Sequence, residues 1–130
     1  MGFLKPHADK LYAGLRIFAG LMFMNHGLQK IFGLFGGAPE GAPAFVVYGA
    51  GSIELVTGTL IAIGLFAAPA AFLASGSMAV AYFIGHVAQS GNLIPIVNKC
   101  ELAVLYCWVF FFIASRGAGI WSADAARAQS

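Results

Sequence analysis

An apolar run from Leu11 to Phe35, LYAGLRIFAGLMFMNHGLQKIFGLF, is long enough to cross a bilayer as one helix, yet it carries Arg16, His26 and Lys30. Crossing takes about 20 mostly apolar residues. A cation facing hydrocarbon costs several kcal/mol unless it is paired or reaches the interface. Arg16, Gly20, Phe23, Gly27 and Lys30 follow one another at spacings of four and three, which places them on one helical face. That face must meet protein, so the remainder of the chain has to supply its partners.

Composition says what kind of remainder this is. The chain is 60% hydrophobic and 9% charged, against about 25% charged residues in a soluble domain. There is too little polar surface to cover a core in water. The reading is an all-α polytopic membrane protein, a four-transmembrane-helix bundle forming a single membrane domain over residues 1–130. Spans are expected at about 11–35, 44–66, 70–89 and 99–115, followed by a polar tail over 116–130. The stretch GGAPEGAP after Phe35 is a loop by its Gly and Pro content, and SGNLIPIVN breaks the pattern again before Lys99. Asp9 is placed to cap the first helix, and Pro69 suits the first turn of the third. No segment shows the sustained alternation of a membrane barrel. The run from Leu11 holds Arg16 and lacks a clear small-residue cleavage site, so an uncleaved anchor is expected rather than a signal peptide.

Other function classes drop out. A net charge of +2 gives no reason to expect nucleic acid. Cys100 and Cys107 lie seven apart on an expected helix, about 10 Å along its axis and too far for a mutual disulfide. No zinc spacing, haem attachment motif or dinucleotide fingerprint is present, so no metal site is expected. Four spans put both termini on one side, where Lys5, Lys10, Arg116 and Arg127 favour the cytoplasm, against Lys30 and Lys99 on the other.

Antiparallel spans assign depths. His26 and Lys30 lie in the outer half of the first span, His86 and Gln89 near the outer end of the third, and Glu101 starts the fourth at that level. Glu54 falls near the midplane of the second span, flanked on its face by Gly51 and Gly58. Tyr82 shares a polar stripe with Ser75, Ala79, His86 and Gln89. Arg16 lies alone in the inner half. Ligand-binding or proton-handling candidates are therefore Arg16, His26, Lys30, Glu54, Tyr82, His86 and Glu101. Histidines, carboxylates and a lysine can bind a quinone head group or relay protons. The bland alternative is ion pairing that fixes helix order, Lys30 with Glu101 and Arg16 with Glu54 or backbone carbonyls. In the tail, Gly117 and Gly119 permit a sharp turn, after which Ser122 and Asp124 can cap backbone, or Asp124 can pair with Arg16 or Arg116. The aromatic run from Trp108 to Phe112 reads as lipid-facing or core.

These residues also carry a likeness. Arg16-x3-Gly20, His26-Gly27-x2-Lys30 and Glu54-x3-Gly58, in that order, resemble the DoxX family of small four-span bacterial membrane proteins. Gly117-Ala118-Gly119-x2-Ser122-Ala123-Asp124 is similar to the family's closing GPG-x2-S-x-D signature, with Ala118 where the family has proline. The resemblance implies an inner-membrane protein tied to redox systems, including a thiosulfate:quinone oxidoreductase and assemblies with sulfur-handling or oxidant-defence enzymes. It implies a redox-associated subunit binding a quinone or small molecule in the outer cluster, working within a larger complex or homo-oligomer. The residues leave open whether the chain is a catalyst. Two alternatives stand beside it: a non-catalytic accessory subunit, and a small proton-coupled transporter using Glu54.

Overall fold

The computed structural model describes residues 1–130, and every regular element in it is helical. A short turn of 3-10 helix, Gly2–His7, leads into α1, Ala8–Phe32. Then come α2, Phe45–Ile63, and α3, Ala67–Ser90. The short α4, Pro95–Asn98, precedes α5, Glu101–Arg116, and α6, Ala123–Ala128, closes the chain. The expected segments are all present as helices, with shifted ends. The first stops at Gly33, whose left-handed backbone (φ +67°) ends it before Phe35, and the second stops at Gly64 in the same way (φ +71°). The expected break before Lys99 contains α4.

α2 and α3 are each long and apolar enough to cross a membrane. α1 has the length but carries its polar residues along it, and α5 has only 16 residues, about 24 Å at 1.5 Å per residue.

α1 packs along α2 and α3 along α5, each pair antiparallel, while α2 also meets α3. The α1–α2 seam exists because glycines line it. A Cβ on Gly20 would stand 2.5 Å from the Ala62 amide nitrogen, and one on Gly58 would stand 2.4 Å from that of Met24. Backbones this close can be held by dispersion and short polar contacts where no water drives the helices together. The expected face of α1 is the buried one: Arg16, Gly20, Phe23 and Gly27 are all buried.

Between α1 and α5 lies an aromatic core. Phe110, fully buried, sits 4.7 Å from Phe23 centroid to centroid and stacks on Tyr106 at 5.3 Å. The run from Trp108 to Phe112 divides accordingly: Phe110 is core, while Trp108, Phe111 and Phe112 face outward. α3 is tied to α5 by the Ser75 hydroxyl, which donates to the Cys107 carbonyl at 2.8 Å. Cys100 and Cys107 are both free. Outside the seams the surface is apolar: Phe18, Phe72 and Trp108 are each about two-thirds exposed (68%, 65% and 66%). Such a surface suits a hydrocarbon solvent better than water.

Part of α2, Phe45–Ala50, and part of α3, Ala81–Val87, are wound with wide π-type turns. The second of these carries Tyr82 and His86. A wider turn rotates every later residue off the 3.6-residue phase. Ser75 and Met78 are buried as the regular period requires, but Gln89 ends exposed.

Candidate functional site

Polar residues gather in two places. At one end of the bundle, the tail closes over α1, α2 and α3. Arg16 is completely buried, and its guanidinium donates four hydrogen bonds to backbone carbonyls. Nη1 reaches Ile61 and Ala62 at 2.7 and 2.8 Å, and Nη2 reaches Ile120 and Trp121 at 3.3 and 2.7 Å. The first two carbonyls close the C-terminal end of α2, where orphan acceptors and the helix dipole favour a cation. Of the partners expected for Arg16, the backbone is the one found, and no carboxylate bonds to it.

Asp124 does not pair with Arg16 or Arg116. Its two oxygens accept from the Phe66 and Ala67 amides at 3.0 and 3.1 Å, capping α3 from a distant part of the chain. Ser122 caps α6 by accepting from the Ala125 amide at 3.1 Å. Gly117 and Gly119 have the positive φ that the expected turn demands, +83° and +67°. Arg116 pairs instead with Asp9 at 2.5 Å, so Asp9 is not the cap of α1, and His7 stands at that position. The Tyr12 hydroxyl donates to the Gly117 carbonyl.

At the other end a cleft of about 280 Å³ opens between α1, α2, α3 and α5, just below the usual range of ligand pockets. The Lys30 ammonium lies 2.5 and 2.6 Å from the two oxygens of Glu54, whose side chain is only 4% exposed. This replaces the expected Lys30–Glu101 pair. Gly51 makes the difference: a Cβ there would stand 3.0 Å from the Lys30 Cβ, so the lysine can lie flat against α2 and reach the acid one turn along. Glu101, in the first turn of α5, is exposed and does not line the cleft, and neither does Tyr82, whose hydroxyl donates to the Leu93 carbonyl.

His26 and His86 both line the cleft and are half-buried. His86 Nδ1 lies 3.3 Å from the Asn98 carbonyl. A carbonyl only accepts, so Nδ1 carries the proton and a neutral ring keeps Nε2 as an acceptor. No three metal-ligating side chains converge anywhere in the chain.

Five further residues line the cleft from the α4–α5 corner and α5: Lys99, Cys100, Leu102, Ala103 and Tyr106. Tyr106 is 6% exposed, its ring lies edge-on to His26 at 6.1 Å, and its hydroxyl is buried with no hydrogen-bond partner. Sequence reasoning passed over it because a lone tyrosine in an aromatic stretch reads as packing. Its spacing was the available signal, since Lys99, Ala103, Tyr106 and Phe110 recur at four, three and four.

The sequence matches known proteins at the family level. The DoxX family profile matches residues 11–87, the part that contains Arg16, Gly20, the His26–Lys30 motif, Glu54 and His86. The chain belongs to the DoxX family. A Haemophilus influenzae relative, described as an uncharacterized protein, is 41% identical over 130 residues, covering 95% of this chain and 96% of its own length. No solved structure matches the chain significantly. Family membership and the two apolar helices together support association with a membrane.

Proposed function

We propose that this DoxX protein is a four-span bacterial inner-membrane protein, both termini cytoplasmic, whose outer-end cleft binds the polar head of a quinone or similar small molecule as part of a redox system. The observation that carries the reading is the buried, unpartnered Tyr106 hydroxyl in a cleft that also holds a buried Lys30–Glu54 pair and two histidines. A buried hydroxyl left without a partner forfeits about 1–3 kcal/mol. A ligand oxygen that accepts from it recovers that loss.

The residues fit a quinone head. Tyr106 offers a donor to a carbonyl oxygen, and His86 Nε2 offers an acceptor to a hydroxyl. Lys30 and Glu54 hold a fixed dipole beside them, and Phe23 and Met78 supply apolar walls. A bound quinone would supply two-electron, two-proton redox chemistry. The chain's own residues would position the head, exchange protons at the imidazoles and exclude bulk water.

Solvent extraction of purified protein tests this. A quinone recovered in stoichiometric amount from the native chain, and depleted in Glu54→Gln and Tyr106→Phe, supports the reading. Native protein that folds, retains lipid and yields no quinone, even after incubation with excess, refutes it.

A further inference from the structure

Resting on the cleft being a ligand site, we infer that it takes an amphiphile with an acidic, oxygen-rich head, of the phosphate or carboxylate class, and an apolar tail. The charge balance points to the head. Glu54 is the one acid lining the cleft, and both its oxygens are taken by Lys30. Lys99 lines the cleft with no ion-pair partner, leaving one cation in excess before either histidine is counted. Glu101, two residues on, is exposed and does not line the cleft.

The backbone adds to this. α5 starts here, and Leu102 and Ala103 of its first turn line the cleft. No side chain caps that turn by a hydrogen bond, and the Cys100 thiol, a weak acceptor, lies against the Ala103 amide. A helix of 16 residues presents partial positive charge at such an end. Tyr106 is an independent witness, one turn further along the same face. Helical side chains lean toward the helix N-terminus, and this one brings a buried hydroxyl with no acceptor. A positive helix end, an ammonium and a phenol all favour a partner that accepts, one rich in oxygen.

The surface around the mouth points to the tail. Ile96 and Val97 of α4 and Leu102 and Leu105 of α5 are all exposed (69%, 56%, 47% and 61%). Leu102 lines the cleft itself, so exposed apolar surface begins at its edge, with the others close to Lys99 in sequence. A free anion has no use for that surface, whereas a lipid-like tail does.

The test is thermal unfolding of the full chain in neutral detergent, titrated with phosphatidylglycerol, phosphatidylcholine or inorganic phosphate. Phosphatidylglycerol should raise the midpoint at concentrations where phosphatidylcholine does not. Lys99→Gln should weaken that effect about tenfold, the worth of one charge-assisted hydrogen bond. Tyr106→Phe should weaken it by several fold. Phosphate should compete only at concentrations at least about 100-fold higher, because it lacks the tail. Equal action by phosphate makes this a free-anion site and overturns the amphiphile. Equal action by the two lipids, or indifference to Lys99→Gln, overturns the acidic head. Lys99 is exposed, so its substitution reads cleanly even where Tyr106→Phe unfolds. Quinone extraction remains a separate readout: quinone bound without lipid selectivity sinks this inference alone, and neither ligand bound sinks the cleft itself.

Discussion

Lys30 and Glu54 offer the sharpest quantitative test of the fold. Their side chains are 15% and 4% exposed, and both carboxylate oxygens lie within 2.6 Å of the ammonium. Removing one partner leaves the other charge unpaired and largely shielded from water, which costs about 3–5 kcal/mol. Replacing both with apolar residues of similar size should cost little, since the pair's attraction is largely offset by its desolvation. Lys30→Met should therefore lose about 3–5 kcal/mol. Glu54→Gln should lose somewhat less, because the lysine stands near the end of α1 and can bend toward the interface. The double variant Lys30→Met/Glu54→Met should return to within about 1–2 kcal/mol of native, a coupling of at least about 2 kcal/mol. Reversible unfolding in mixed micelles, followed by circular dichroism and by Trp108 and Trp121 fluorescence, measures all four corners of the cycle. Single losses under about 0.5 kcal/mol that simply add in the double variant would refute the argument, because the pair would then behave as an exposed one.

Four other outcomes follow from the same contacts. Gly58→Val should cost at least about 1–3 kcal/mol in the same assay, since its Cβ meets the Met24 backbone, not a movable side chain. Asp124→Ala should cost about 1 kcal/mol by uncapping α3, while Asp124→Asn keeps most of the cap; equal losses would point to charge rather than capping. Ending the chain after Arg116 removes two of the four carbonyls that hold Arg16, and proteolysis should then open the α2–α3 turn faster than in the full chain. Asp9→Asn should change stability by less than about 1 kcal/mol, because Asp9 and Arg116 are 71% and 40% exposed; a larger loss in the unfolding assay would contradict that ranking.

Much of this architecture was legible in the residues. Glycine spacing on α1 and α2 identified the seam, because only small residues let backbones approach so closely, and that requirement is written locally. The histidines and Lys30 could be placed at one end of the bundle by counting along antiparallel helices, with Glu54 nearer the midplane. Partners could not be counted in this way. Depth put Glu101 level with Lys30 and left Glu54 to Arg16, and only the rotation of the helices about their axes brought Lys30 onto Glu54. The wide turns in α3 changed its phase after Ala81, so Gln89 left the stripe that a regular helix assigns it. Tyr106 became notable only when its neighbours failed to bond it.

The first helix shows the division most clearly. Its sequence alone determined that Arg16, Gly20, Phe23, Gly27 and Lys30 face protein, since helical periodicity and the cost of charge in hydrocarbon leave no other choice. Only the tertiary structure decided what each meets. Arg16 meets the end of α2 and the tail just before α6, and Lys30 meets an acid across a glycine seam. Periodicity is a property of one helix, whereas pairing depends on the relative rotation of two, and no single stretch of chain contains that angle.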